Sequence, residues 1–341
     1  YISKSIIPSR TANSIHVMKM CQALSDCGHE VVLLAPNQKN EYQKEVKNIY
    51  DYYDVSKNFV IKKLWHPEFK AGALIYTLAI FYYLLINKDF NLVYGRFLHG
   101  CFVATFFRKN VIFESHENIT KMKSHRLFIF KRLISSKYFK KLIVISQALK
   151  NIYLKNGYLS NDKIHVAHDG ADEVKNSNNK IELSGNIQAL KVGYVGHLYK
   201  GRGIELIIEC AKRMKEITFH IVGGTSKDIN YWKSYIKDLG LFNIFLYGFV
   251  TPKETVRYRN SFDILLAPYA KKVSVYGVGD QGDTSQFMSP LKIFEYMSHK
   301  KAIIASDLPV IREVLNSDNS MLIKPENIND LVNSISFLKN K

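Results

Sequence analysis

Lys191-Val192-Gly193-Tyr194-Val195-Gly196 reads as a strand that enters a glycine-bearing loop, Lys200-Gly201-Arg202-Gly203, and then a helix over 204–215. This restarts, in the second half of the chain, a strand–helix alternation that has already run through the first half. Such alternation forces a crossover between neighbouring strands and restricts the chain to parallel sheets of the α/β class. The first half predicts a helix over 14–27 that stops at Gly28, then strands at 30–35, 91–94, 110–113, 141–145 and 163–166. The second half predicts further strands at 218–222, 244–247, 263–267 and 302–305. Between them, residues 174–184 are polar and rich in Asn, Ser and Lys, as a linker would be. The expected organisation is a domain over 1–173, a linker over 174–189 and a second domain over 190–341, a length that suits two domains. Tandem βα domains would hold a ligand in the cleft between them, at the carboxyl ends of the strands.

Charge narrows the partners. The chain carries 48 Lys and Arg against 30 Asp and Glu, a formal charge of +18. That excess calls for nucleic acid, an acidic membrane surface or phosphorylated small molecules, although compositional drift toward Lys, Asn, Ile and Tyr accounts for part of it. Cys21, Cys27, Cys101 and Cys210 have neither metal nor pairing spacing and read as reduced, buried thiols of a cytoplasmic protein. The longest apolar run, 71–86, is broken by Gly72 and Thr77. It falls short of the ~20 residues a membrane span needs, so a buried helix is expected there. The opening Tyr1-Ile2-Ser3-Lys4 shows no signal-peptide pattern and no Met, as if a first strand had been cut at its start.

Residues 289–297 carry the first chemical signal. Ser289 suits a helix N-cap and Pro290 the first helical position. Leu291, Phe294 and Met297 recur at helical spacing and predict one buried stripe. The amides of Leu291, Lys292 and Ile293 would point out of a helix end bearing about half a positive charge, an arrangement that attracts phosphate. Glu295, one turn deeper, is placed to accept hydrogen bonds from a sugar diol. The pair of features suggests a nucleotide; an ordinary capped core helix with an exposed Glu fits the same residues.

Several segments then occur in a recognisable order: Gly193 to Gly196, Arg202-Gly203, Tyr247-Gly248-Phe249-Val250, the residues from Asp263 to Tyr269, Ser289 to Met297, Ser306-Asp307 and Arg312-Glu313-Val314. In this order the chain resembles retaining family-4 glycosyltransferases of the GT-B fold, in the subgroup with a Ser-Pro-Leu-Lys segment. Asn13-Ser14-Ile15-His16, Gly28-His29-Glu30-Val31 and Glu114-Ser115-His116 extend the resemblance into the first half. It implies two Rossmann-like domains with parallel sheets that face each other across a cleft, acceptor side first and nucleotide-sugar side second. By this resemblance Arg202 and Gly196 approach the donor diphosphate, with His197 standing where many members have Arg. The amides of Leu291 and Lys292, after Ser289-Pro290, would hold the distal phosphate, Glu295 the ribose and backbone groups near Val250 the base. His116 would lie near the transferred sugar, and the Asn13-Ser14 turn near the diphosphate. His16 either faces the cleft or packs, and Arg96 either lines the acceptor side or is a surface arginine. The pattern departs from the family at Phe287, where a second acid is common, and at Lys300, where a helix-ending Gly is usual. The chain also stops soon after Leu338, without the last helix that commonly crosses back.

Departure of a nucleoside diphosphate leaves negative charge to neutralise. No two aspartates in this chain are separated by one residue, so an Asp-x-Asp metal set is absent from the sequence, and no metal or cofactor is expected. Arg202 and helix-end amides would supply the neutralisation. By resemblance, attack comes on the face the diphosphate leaves, so the leaving phosphate itself takes the acceptor proton and His116 positions or polarises. Glu114 is expected to orient a neighbouring loop.

Residues 121–141 mix Lys121, Lys123, Arg126, Lys131, Arg132, Lys137, Lys140 and Lys141 with Leu127, Phe128, Phe130, Leu133, Tyr138 and Phe139. Such a stretch suits an anionic leaflet, or it is a solvated helix with one core-facing side. The resulting expectation is a metal-independent hexosyltransferase that uses a nucleotide-sugar donor and a glycan or lipid-linked acceptor, peripheral on the inner face of the cytoplasmic membrane, with no nucleic-acid partner. Cell-surface polysaccharide synthesis would be its setting. A GT-B-fold sugar epimerase, an inactive GT-B partner subunit and a basic nucleic-acid-binding protein are the alternatives.

Overall fold

The computed structural model describes residues 1–38, 46–69, 71–274 and 283–340, and the chain divides into two compact units, Tyr1–His168 and Asp169–Lys341. The first runs α1 (Ala12–Asp26), β1 (Val32–Asn37), α2 (Ile49–Tyr53), β2 (Val60–Trp65), α3 (Gly72–Ile86), β3 (Leu92–Gly95), α4 (Leu98–Ala104), β4 (Asn110–Ser115), α5 (Ser124–Ile134), β5 (Phe139–Val144), α6 (Gln147–Lys155) and β6 (Ile164–Val166). Strands β3, β4, β5 and β6 pair in that order, all parallel, and β1 pairs in parallel with β2. Ile2 bridges Leu34 of β1 and Gly95 of β3, so the first residues of the chain lie between those strands. Ile2 N donates to Tyr94 O at 2.9 Å and Ser3 N to Leu34 O at 3.0 Å. The sequence pattern missed β2, because its residues are only half-buried or exposed and no apolar run marks it.

Local chemistry sets the helix ends in this unit. Thr11, in extended conformation, caps α1 by accepting from Ser14 N at 3.3 Å, so the helix starts before residue 14. Ser14 is buried and its hydroxyl donates to Ser9 O and Thr11 O at 3.0 and 2.8 Å, while Asn13 is exposed. Three of the four cysteines are buried as expected, but Cys27, at the end of α1, is exposed.

Two expectations about apolar segments need correction. Helix α3 buries only Gly72, Tyr76, Ile80 and Leu84, one residue per turn. Its other faces expose Leu74, Leu78, Phe81, Tyr82, Leu85 and Ile86 to solvent. The run is apolar all round, yet only one stripe has a core to pack against. The basic stretch 121–141 is not a single amphipathic element, because α5 ends at Ile134 and β5 begins at Phe139. Phe130, Leu133 and Phe139 turn into the core, leaving Phe128 outside with the Arg132 guanidinium over its ring at 5.1 Å. No helix among the described residues is long and apolar enough to cross a membrane.

The second unit runs β7 (Lys191–Val195), α7 (Ile204–Arg213), β8 (Thr218–Val222), α8 (Ser226–Asp238), β9 (Ile244–Gly248), α9 (Pro252–Ser261), β10 (Ile264–Ala267), α10 (Leu291–Ser298), β11 (Ala302–Ser306), β12 (Met321–Ile323) and α11 (Ile328–Lys339). Its sheet is six-stranded and wholly parallel, in the order β12-β11-β10-β7-β8-β9. Residues 169–190, ahead of β7, form neither helix nor strand. The core packs Val192 and Tyr194 of β7, Phe219 and Ile221 of β8 and Ile264 and Leu266 of β10 against Ile204, Ile207, Ile208 and Ala211 of α7. Strand order reverses between β7 and β10, which opens a ligand crevice at the carboxyl ends of those neighbours. Both units are mixed α/β bodies of Rossmann type with parallel sheets, as the alternation predicts.

Candidate active site

In the second unit the reversal point is lined by two basic side chains, Lys292 and Arg202. Beyond β7, Gly196 adopts φ +150° and a Cβ there would stand 2.8 Å from Lys292 Nζ, so only Gly admits the lysine. Lys292 projects from the first turn of α10. It is 9% exposed, and its Nζ sits over the Tyr194 ring at 3.7 Å and the Tyr269 ring at 5.4 Å. The Arg202 guanidinium stands over the same Tyr269 ring at 5.4 Å, and its Nη2 reaches Ser274 O at 3.5 Å. Gly203, at φ +81°, caps α7 just after Arg202 and packs so closely that a Cβ would lie 1.9 Å from Pro268 O. Lys292 Nζ and Arg202 Nε are buried with no hydrogen-bond partner, and among the described residues no carboxylate forms an ion pair with either cation. Burial, reinforced by Arg202, holds the Lys292 amine well below its usual pKa of 10.5. Burial and the nearby cations Arg202 and Lys292 likewise pull His197 down to about 4, and its ring lies flat against Tyr199 at 4.7 Å.

The start of α10 differs in detail from the expectation. Pro290, not Ser289, is the cap; it is extended at φ −78°, ψ 115° and contributes no side-chain bond. The Ser289 hydroxyl instead accepts from Asp169 N at 3.0 Å. Ile293 N is satisfied by Pro290 O at 3.0 Å, which leaves the amides of Leu291 and Lys292 without an acceptor among the described residues. The buried stripe is Lys292, Ile293 and Tyr296, while Met297 faces solvent. Tyr296 wins the interior because its hydroxyl satisfies the strand ends, accepting from Val195 N at 2.9 Å and donating to Leu266 O at 3.3 Å. Glu295 is held by the buried Arg259 guanidinium at 3.3 Å and keeps its carboxylate 29% exposed. Phe287 is buried, and Val250 lies half-buried between β9 and α9. Lys300 adopts φ +53°, the left-handed turn its position implies.

The first unit builds a different cluster at its own reversal point, beside Ile2 and β3. Glu114, near the end of β4, is 3% exposed. His116 Nε2 and His16 Nε2, the latter carried on α1, lie 2.5 and 2.7 Å from its Oε1. Arg96 Nε stands 3.7 Å from the same oxygen, and Tyr1 donates to Oε2 at 3.4 Å. The two imidazoles meet edge to face with centroids 5.1 Å apart. Burial pushes the Glu114 carboxyl up, but hydrogen bonds and charge from His116 and His16 outweigh it and hold the group well below 4.5. Burial, with Arg96 adding to it, lowers His116 below 6.5, so its imidazole is neutral near pH 7.

Sequence reasoning put His116 near the transferred sugar and left open whether His16 faces the cleft or packs and whether Arg96 lines the acceptor side or is a surface arginine. The structure brings all three to Glu114, which was read as orienting a neighbouring loop, and the Arg96 side chain is only 13% exposed. The i, i+2 spacing of Glu114, in β4, and His116, just past its end, was the available signal. Donor atoms of His16, Glu114 and His116 lie within 4.8 Å of one another, a set that fits a divalent transition ion. The Arg96 guanidinium beside the shared oxygen opposes a second cation there.

Comparison with known proteins bears on the family and the fold. Residues 14–175 match the family model described as Glycosyltransferase Family 4, and residues 189–340 the one described as Glycosyl transferases group 1. A glycosyltransferase of Bacillus subtilis (strain 168), TuaH, whose name ties it to teichuronic acid biosynthesis, is 27% identical over 154 residues, which are 43% of this chain and 35% of that protein. The chain thus spans about a third of that relative's length. An uncharacterized glycosyltransferase of Methanocaldococcus jannaschii is 23% identical over 94% of this chain and 85% of its own. Among solved structures, Anabaena Alr3699/HepE in complex with UDP superposes with a TM-score of 0.70 at 15% identity, over 99% of this chain and 89% of that one. The two family models together span nearly all of the chain, and with two parallel Rossmann-type units they identify it as a glycosyltransferase of the GT-B fold.

Proposed function

We propose that the chain moves a hexosyl group from a nucleoside-diphosphate donor to a glycan or lipid-linked acceptor, with retention of configuration and without a metal. The observation that carries this reading is the pair of basic side chains, buried Lys292 and half-buried Arg202, gathered around Tyr269 beside the amides of Leu291 and Lys292, with no carboxylate in an ion pair with either among the described residues. A diphosphate supplies the missing charge. As the glycosyl–phosphate bond breaks, the negative charge that develops on the leaving oxygens falls on a preorganised, water-poor site. Each charge-assisted hydrogen bond contributes roughly 1.5–3 kcal/mol, so two cations and two amides supply several decades of rate. Glu295, steadied by Arg259, would take the ribose hydroxyls, and the backbone near Val250 the base. HepE holds UDP and UDP-glucose in its crystal structures, which favours a uridine donor here.

The first unit would serve the sugar and acceptor side, with His116 as a hydrogen-bonding group and not a charged one. The leaving phosphate then accepts the acceptor proton on the same face. We place the enzyme at the inner face of the cytoplasmic membrane, in cell-surface polysaccharide synthesis. The exposed apolar face of α3 and the exposed cations of α5 would meet an anionic leaflet.

The test is a melting-temperature screen with uridine, guanosine and adenosine diphosphates, followed by donor hydrolysis with and without a chelator. One diphosphate should raise the melting temperature, Arg202→Ala should remove that rise, and hydrolysis should survive the chelator. No response to any nucleotide would end this reading; strict dependence on a divalent cation would end its metal-free form.

A further inference from the structure

Glu114 has no part in the chemistry outlined so far, yet the side chains of Tyr1, His16, Arg96 and His116 converge on its carboxylate. It is buried near the carboxyl end of β4, and one of its oxygens faces His116 Nε2, His16 Nε2 and Arg96 Nε at 2.5, 2.7 and 3.7 Å. An ionised carboxylate oxygen has lone pairs only, so a ring nitrogen this near it must carry hydrogen. A lone pair at that distance would be repelled. His116 Nδ1, in contrast, has no partner among the described residues.

We propose that Glu114 is a positioning residue: its Oε1 holds His116 in the form with hydrogen on Nε2, so that Nδ1 is presented as a hydrogen-bond acceptor for a hydroxyl of the sugar. The last clause rests on the glycosyltransferase reading; the tautomer does not. Metal-bound histidines gain their orientation from such outer carboxylates, and here the same geometry acts on a histidine that works without a metal. His16 is the second imidazole on the same oxygen, and its close approach, with that of Arg96, confines the carboxylate so that it cannot swing away from His116.

The experiment is a pair of measurements on the full chain. Long-range nitrogen–proton spectra of 15N-histidine-labelled protein, with His116→Asn to assign the ring, report the tautomer between pH 6 and 8. The wild type should show hydrogen on Nε2 of His116. Glu114→Gln, which keeps the shape and removes the charge, should give a mixture of the two neutral forms. Hydrogen on Nδ1 in the wild type, or an unchanged tautomer in Glu114→Gln, overturns the proposal. So does added Zn2+ that shifts His116 to the Nδ1–H form at micromolar concentration, since Nε2 would then be a metal ligand. In steady-state kinetics Glu114→Gln should lower kcat at least roughly tenfold with KM for the donor unchanged. A merely structural role would lower the melting temperature and disturb both constants together. If the spectra behave as stated while the wild type transfers no sugar from any donor, the tautomer assignment is supported and the transferase reading alone fails.

Discussion

The two reversal points of this molecule solve opposite electrostatic problems. In the first unit a buried anion, Glu114, is surrounded by His16, His116, Arg96 and Tyr1, so every approach to it is already occupied by a donor. In the second unit buried Lys292 and half-buried Arg202 both lie against the Tyr269 ring, with no carboxylate paired to either among the described residues. A closed cluster holds its own geometry and can offer only hydrogen bonds to a ligand. An open one is incomplete until an anion arrives, and the fold carries a buried-charge penalty meanwhile. On the proposed function, the contrast separates a site that would orient hydroxyls from one that would receive phosphate.

Removing the centre of each cluster should break the comparison most sharply. Glu114→Ala leaves two imidazoles and a guanidinium without their acceptor and should lower stability by about 3–5 kcal/mol, read by urea titration. Lys292→Met removes a buried amine whose charged form burial disfavours, at similar volume, and should raise the melting temperature while eliminating the response to nucleoside diphosphates. A lower melting temperature for Lys292→Met would show that the second cluster is not held open.

The next effect is on affinity. Arg202→Ala should weaken nucleoside diphosphate binding by roughly 10- to 100-fold, the equivalent of one charge-assisted bond, in calorimetry. Because burial depresses the Lys292 amine and a bound diphosphate restores its charge, binding should take up a proton and weaken as pH rises. Calorimetry in buffers of different ionisation enthalpy measures the proton count. Gly203→Ala, at φ +81° with Pro268 O in the way, should destabilise by about 1–3 kcal/mol without the proton signature.

Acid should act next. Burial lowers His197, His220 and His299 of the second unit from 6.5 to about 4. Between those values the unfolded chain binds more protons than the folded one, so stability falls as pH drops from about 6.5 toward 4 and levels off below. His220 carries its share by bonding neutral to the Tyr247 and Thr218 hydroxyls, both at 3.0 Å. His220→Gln should therefore flatten the slope of melting temperature against pH. The smallest stability effect should come from Leu78→Glu on the exposed face of α3, within about 0.5 kcal/mol of wild type. The same variant should reduce co-sedimentation with anionic vesicles; unchanged binding would remove α3 from the membrane contact.

Much of the second site was legible in one dimension because it is local. Ser289-Pro290-Leu291-Lys292 marks a helix start, and Arg202-Gly203 marks a turn whose left-handed residue only Gly tolerates comfortably. What escaped was the side chain of Lys292. Read only for its backbone amide, it is a buried side chain: Gly196 leaves room for it, and Tyr194 and Tyr269 lie against it. The buried stripe of α10 was misread for a related reason: Tyr296 outcompetes Met297 through hydrogen bonds to Val195 and Leu266, on strands distant in sequence. In the first unit His16, Arg96 and Glu114 are separated by tens of residues and carry no spacing that links them.

The alternation of strand and helix and the glycine turns were enough to determine parallel α/β architecture, and the excess of positive charge to suggest an anionic partner. These are properties of neighbours along the chain, set by backbone sterics and by composition. Which charges end up paired was decided only when parallel strands brought α1, β3 and β4 to one edge and β7, β10 and α10 to another. Pairing depends on distances of a few ångströms between residues far apart in sequence, and burial multiplies its energy, so the same Glu or Lys is unremarked surface in one fold and the centre of a site in this one.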